Sequence, residues 1–173
     1  MRKLQRVLVI GLAVIVAAVA VPGTAMANAT TKIWKNYGSN LCLGVAGGKM
    51  QDGTAIIAWG CNGASDQTWT LDPTSGTSDA FLMRNGKDPY MCLSVAAKST
   101  STWVALVLWH CKLTAENQDQ RWYLTSDRQA PYNYLLNYNS SLVAAADQYW
   151  GAPVMQMQQG YWFPLDAWVD SAR

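Results

Sequence analysis

One spacing occurs twice in this chain. Cys42-Leu43-Gly44-Val45 leads to Trp59-Gly60-Cys61 and then to Gln67-Thr68-Trp69, while Cys92-Leu93-Ser94-Val95 leads to Trp109-His110-Cys111 and then to Gln120-Arg121-Trp122. The offset is 50 residues at the first two segments and 53 at the third, so the second copy carries a three-residue insertion. A unit this apolar cannot bury its face alone, and tandem copies bury it against one another. A repeat architecture is therefore the first expectation.

The N-terminal segment stands apart from the repeats. Arg2, Lys3 and Arg6 precede an apolar run, Val7 to Val21, which Pro22-Gly23 ends before the small-residue pattern Ala25-Met26-Ala27. This layout is that of a secretory signal peptide cleaved after Ala27. The apolar run is about 15 residues, short of the roughly 20 that span a bilayer. The expectation is a signal peptide over 1–27, a folded domain over 28–173 and a secreted product with no membrane attachment. Losing those three basic residues turns 13 basic against 11 acidic into ten against eleven, a net charge of −1. No basic stripe remains for nucleic acid.

All four cysteines lie beyond that segment, in two pairs each separated by 19 residues. An exported chain favours disulfides over metal ligation. Of the three possible connectivities the repeat selects Cys42 with Cys61 and Cys92 with Cys111. No Cys-x-x-Cys occurs and His110 is the single histidine, so no metal or other cofactor is expected.

Short alternating runs replace any long helical pattern. In Leu41 to Val45 the period of two points Leu43 and Val45 inward, with Cys42 and Gly44 on the other face. Ala55 to Trp59 and Ala105 to Trp109 read as strands apolar on both faces. Turn clusters such as Gly47-Gly48, Asp52-Gly53, Asn62-Gly63 and Asn85-Gly86 separate the runs, as in an all-β barrel or sandwich. A third, worn copy follows. Leu135-Leu136-Asn137-Tyr138 matches Trp34-Lys35-Asn36-Tyr37, Gly151 to Val154 matches Gly53 to Ile56, and Asp166-Ala167-Trp168 stands where Gln-x-Trp is expected. Its cysteines are absent and Met157 takes the place of Trp59 and Trp109. The repeats run over about 32–78, 79–129 and 130–173, and three such units suit a closed barrel without exposed sheet edges.

Cys-Leu-x-Val, Trp-x-Cys and Gln-x-Trp in tandem resemble the ricin B-type lectin domain, a carbohydrate-binding β-trefoil. The resemblance covers the whole chain after residue 27. It implies four strands per repeat, a six-stranded barrel capped by three hairpins, and core roles for Trp69, Trp122 and Trp168. It also implies shallow sugar pockets, at most one per repeat. Each has an Asp after Cys-Leu, a polar residue two before the Trp of Trp-x-Cys, that aromatic, and an Asn before Gln-x-Trp. An aromatic ring covers the apolar face of a pyranose, while a carboxylate and an amide hold its hydroxyls.

Carried over, these positions are Gly44, Ile57, Trp59 and Asp66 in repeat one, and Ser94, Val107, Trp109 and Asp119 in repeat two. In repeat three the first falls on Leu142, Val143 or Ala145 and the aromatic on Met157. The stacking tryptophans survive twice, the family Asp nowhere, and a lost charge-assisted hydrogen bond costs roughly 1.5–3 kcal/mol. The expected site residues are Trp59, Asp66, Trp109 and Asp119, binding a glycan or polysaccharide through eroded pockets. Period two also sets Ile57 beside Trp59 and Val107 beside Trp109 on the outward face. That pairing suits the alternative, a protein-binding or inhibitory trefoil with a secreted protein as partner.

No enzymatic activity is expected. His110 sits between a tryptophan and a bridged cysteine, in a conformational role. The acids Asp72, Asp79 and Asp127 occupy turn contexts where solvated Asp is the default. Trp103, Tyr149, Trp150, Tyr161 and Trp162 lie outside the repeat positions; they either line a surface for polysaccharide or pack beneath the hairpins, and packing is the favoured expectation for large aromatics. Asn28-Ala29-Thr30 and Asn139-Ser140-Ser141 fit the glycosylation pattern, which matters only in a glycosylating host.

Overall fold

A computed structural model describes residues 31–73, 79–114, 116–126 and 130–172. The expected signal peptide over 1–27, Asp127 and the glycosylation pattern at Asn28 lie outside the described residues. Among the described residues twelve strands follow in order, four per repeat. Repeat one holds β1 (Thr31–Asn36), β2 (Cys42–Val45), β3 (Ile56–Trp59) and β4 (Thr68–Pro73). Repeat two holds β5 (Phe81–Asn85), β6 (Met91–Val95), β7 (Val104–His110) and β8 (Arg121–Thr125). Repeat three holds β9 (Tyr134–Asn137), β10 (Val143–Ala146), β11 (Ala152–Met157) and β12 (Trp168–Ala172). The fold is an all-β trefoil.

The first and last strands of each repeat build the barrel. β1 pairs with β4, β4 with β5, β5 with β8 and β8 with β9, all antiparallel. A bridge from Asn133 to Trp168 joins the β9 side to β12, and β12 returns to β1 over Lys32–Ala172 to Asn36–Trp168, so the ring has no free edge. The middle strands form three hairpins, β2–β3, β6–β7 and β10–β11. They meet around the pseudo-threefold axis through β3–β11, β7–β11 and the bridge Ala55–Val107.

The repeat tryptophans do the same work three times. Trp69, Trp122 and Trp168 are fully buried. Their indole N–H groups donate to the carbonyls of Leu43, Leu93 and Ala144 at 3.0, 3.1 and 2.8 Å. Each ring thus ties the last strand of its repeat to the second, and a buried indole N–H finds its partner. This bond resolves the register of repeat three, because Ala144 stands with Leu43 and Leu93. Val143 then occupies the position of Cys42 and Cys92, opposite Met157 as they are opposite Trp59 and Trp109. The family Asp position falls on Ala145, opposite Met155.

Both disulfides form as the repeat spacing requires, Cys42–Cys61 and Cys92–Cys111. Leu43 and Val45 enter the core as expected, but Cys42 and Gly44 are buried as well. The second face of β2 is roofed by the disulfide and by Gln67, whose Cγ would lie 3.1 Å from a Cβ on Gly44. That glutamine also clamps the chain after β3, donating to the Gly60 carbonyl at 2.9 Å and accepting from Asn62 N–H at 3.0 Å. Gln120 repeats this with His110 and Lys112. In repeat three Asp166 instead accepts from the Gly160 N–H at 2.6 Å, while its Oδ1 has no hydrogen-bond partner among the described residues.

Candidate functional site

The hairpin strands place the expected aromatic residues outward. In β3, Ile56 and Ala58 are buried while Ile57 is half-buried and Trp59 exposed. In β7, Leu106 and Leu108 are buried, with Val107 half-buried and Trp109 exposed. Each indole stands over a cleft in its own repeat.

Cleft one has a volume of about 430 Å³ and brings Trp59 and Asp66 together with Ile57, Asn62, Gln67 and Lys87. Its floor is Gly44, which has no side chain to meet the carboxylate. Among the described residues, no hydrogen bond or ion pair holds the Asp66 side chain. One wall is the Gly47-Gly48 turn, whose φ angles of 60° and 61° suit glycine. Lys87 Nζ donates to the Gly48 carbonyl at 2.8 Å, which sets a positive charge at the rim.

Pocket two is smaller, about 150 Å³, and brings Trp109 and Asp119 together with Ser94, Ala97, Lys98, Lys112 and Asn117. Ser94 takes the place of Gly44, and its hydroxyl donates to Asp119 Oδ2 at 2.7 Å. Asp119 is buried, and its Oδ1 has no hydrogen-bond partner. Ala97 and Lys98 replace the two glycines and keep their left-handed backbone, with φ 53° and 55°. Lys98 Nζ donates to Asn117 Oδ1 at 2.9 Å along the pocket wall. In repeat three the equivalent Met157 and Ala145 are both buried.

The rims differ too. Trp150, from the β10–β11 turn, lies 5.5 Å from Trp59 between ring centroids at 55°. It packs on Gly60, where a Cβ would meet its Cη2 at 3.1 Å. In repeat two His110 stands in place of Gly60, and Asp52 in place of Trp150. Asp52 Oδ1 lies 2.7 Å from His110 Nδ1 and accepts the His110 backbone N–H at 2.7 Å. Cleft one is thus bordered by two indoles, and pocket two by one indole and a histidine–aspartate pair.

Two expectations need correction. Trp103, Tyr149, Trp150 and Tyr161 are exposed rather than packed beneath the hairpins, with Trp162 half-buried. They sit on the turns of β6–β7 and β10–β11 and on the loop before β12, outside the roofed core. Asp72 is not a turn residue: it lies in β4, where Arg84 Nε donates to it at 2.6 Å. Asp79 just precedes β5 and has an interaction partner of its own.

Sequence reasoning missed Ser94 as the partner of Asp119, the lysines at both rims and the Trp150 contribution. The 50-residue offset carries the signal for two of these, since it maps Gly44 onto Ser94 and Gly48 onto Lys98.

Known structures share this architecture. A designed threefold-symmetric protein, ThreeFoil, superposes with a TM-score of 0.74 at 19% identity, over 83% of this chain and 99% of its own. The exo-beta-1,3-galactanase 1,3Gal43A from Clostridium thermocellum gives 0.74 at 18% identity, over 89% of this chain and 31% of that one. The Macrolepiota procera ricin B-like lectin, solved with lactose, gives 0.68 at 14% identity, over 84% and 96%. No curated protein sequence matches the chain significantly. The family described as the ricin-type beta-trefoil lectin domain matches residues 29–159. With three tryptophan-tied repeats on one closed barrel, the chain belongs to that family.

Proposed function

We propose that this protein is a secreted, non-catalytic carbohydrate-binding module whose principal site is cleft one. The observation that carries the reading is the pairing of an exposed indole, Trp59, with the unpartnered Asp66 carboxylate in one open cleft. The indole covers the apolar face of a pyranose, and Asp66, Asn62 and Gln67 offer acceptors and donors to its hydroxyls. Asp66 Oδ2 lies 3.9 Å from a Cβ built on Gly44, the position where the family carries its Asp, so Asp66 substitutes for that carboxylate from a neighbouring residue. Pocket two is the weaker site. Its carboxylate already accepts from Ser94, and a sugar hydroxyl there competes with a bond in place.

Export follows from the N-terminal segment and accords with two disulfides. The glycan class is tested by affinity electrophoresis through xylan, galactan and cell-wall glycans. Retardation of the wild type, lost in Trp59→Ala and reduced in Asp66→Ala, supports the reading; unaltered mobility in every gel ends it.

A protein-binding or inhibitory role has its own support in the two outward aliphatic–indole pairs, Ile57/Trp59 and Val107/Trp109. On that reading, immobilised protein captures a partner from culture supernatant, and Val107→Asp releases it while Asp66→Ala does not.

A further inference from the structure

Repeat three has lost its strand aromatic, yet an aromatic cluster stands at the equivalent place on the surface. Near the end of the turn between the hairpin strands, each repeat carries a left-handed residue at an equivalent place: Gly53 at φ 80°, Trp103 at 65° and Gly151 at 80°. The N–H of each donates into the neighbouring hairpin: Gly53 to Leu108, Gly151 to Ala58 and Trp103 to Gln156. Each turn residue therefore adjoins the strand aromatic of the next repeat. A Cβ on Gly151 would lie 3.4 Å from Trp59, and one on Gly53 would lie 3.9 Å from Trp109. Where the strand keeps its ring, the turn residue is glycine. Where the strand has Met157, the turn residue is tryptophan.

That exchange runs against backbone preference. A bulky side chain at positive φ is a genuine outlier, and strain of this kind clusters at functional sites. Core packing does not account for it, because Trp103 remains 52% exposed. The ring is nevertheless fixed. It meets Trp162 at 4.9 Å and 87°, and Tyr161 at 6.3 Å and 86°. Tyr161, itself 66% exposed, is held by its N–H to the Gln158 carbonyl at 3.1 Å. The Tyr161 ring sets a phenol hydroxyl among the aromatic groups of this cluster.

We infer that Trp103, Tyr161 and Trp162 form a third sugar-binding station, built from the neighbouring repeat's turn in place of the lost strand aromatic. The occupant is a pyranose unit of a polysaccharide, for which exposed, mutually packed rings carrying a phenol hydroxyl are the matching chemistry. With Trp59 and Trp109 it makes the molecule trivalent, one station per repeat, and several weak contacts on one polymer add to strong retention. The inference rests on the carbohydrate reading proposed above.

The test uses the full chain in affinity gels of xylan, galactan or a cell-wall glycan, beginning with whichever retards the wild type. Trp59→Ala/Trp109→Ala keeps a measurable share of the retardation, and adding Trp103→Gly removes it. Trp103→Gly alone weakens apparent affinity by about threefold or more, through lost avidity. Trp103→Tyr restores most of it. Glycine is the residue the other two turns carry, so Trp103→Gly folds, with a melting temperature at or above wild type. If the double variant is retarded equally with and without Trp103, the third station is wrong while the carbohydrate reading stands. If no gel retards the wild type, both fall. A dimer that Trp103→Gly converts to monomer, with retardation unchanged, overturns the inference in favour of self-contact.

Discussion

Cleft one and pocket two are the same structure twice, with the same backbone, disulfide and outward tryptophan, yet they differ in openness and in polar state. Three substitutions account for the difference. Gly44 becomes Ser94, which supplies a hydroxyl for the carboxylate that follows. Gly48 becomes Lys98, which lays a long side chain along the wall. Gly60 becomes His110, which exchanges indole packing for a histidine–aspartate hydrogen bond at the rim. A glycine leaves space and an unsatisfied neighbour. A side chain at the same place fills the space and gives the neighbour a partner at one of its oxygens. The lesson is that a binding pocket is closed as effectively by giving its polar group a partner within the protein as by removing that group.

The sharpest way to break this comparison is to remove the two indoles separately. Trp59→Ala is expected to weaken binding at least about tenfold, or roughly 1.4 kcal/mol, and Trp109→Ala less than about threefold. Calorimetric titration with an oligosaccharide of the retarding glycan reads both, and equal losses would remove the distinction between the sites.

Exchanging the floor residues sharpens it further. Ser94→Gly frees Asp119 and should strengthen the repeat-two site while lowering folding stability by about 1–3 kcal/mol, since a buried carboxylate loses its donor. Gly44→Ser should do the opposite for binding in repeat one, because its hydroxyl is placed toward Asp66 Oδ2, 3.9 Å from the new Cβ. Urea unfolding and titration of the pair measure both arms. Unchanged binding in both variants would show that the hydroxyl does not govern the carboxylate.

The smallest effect lies in repeat three, where Asp166 replaces the clamping glutamine. Burial pushes its carboxyl above the ordinary value of 3.8, against the lowering effect of the Gly160 N–H. The folded state therefore holds a proton that the unfolded chain releases. Its contribution to stability is fullest below about pH 3.8 and declines as pH rises through the elevated folded pKa, then stays level. Asp166→Asn should abolish that segment of the stability–pH curve and leave the variant more stable than wild type at neutral pH. Thermal melts across acid pH test the sign, and a wild type that gains stability through that window relative to the variant would refute it.

Much of the fold was legible before any coordinates. The cysteine spacing and the Gln-x-Trp segments identified the bridges and the core tryptophans, because covalent reach and core position leave a period in the sequence. Met157 was also recognised as the occupant of the third aromatic position. The buried state of Cys42 and Gly44 was not legible, since it depends on a glutamine 23–25 residues further along the chain folding back over the strand. Nor was the exposure of Trp103 and Trp150, because local hydrophobicity does not reveal which turns lie outside the roofed core.

The sequence alone determined the threefold scaffold, its two bridges and the outward direction of Trp59 and Trp109. Repetition and alternation are one-dimensional patterns, and they survive projection onto a chain. Only the tertiary structure decided which carboxylate remains free, which pocket is open and which ring from one repeat reaches the next. Those are contacts between residues distant in the chain, where a single missing Cβ or one hydroxyl 2.7 Å away sets the outcome.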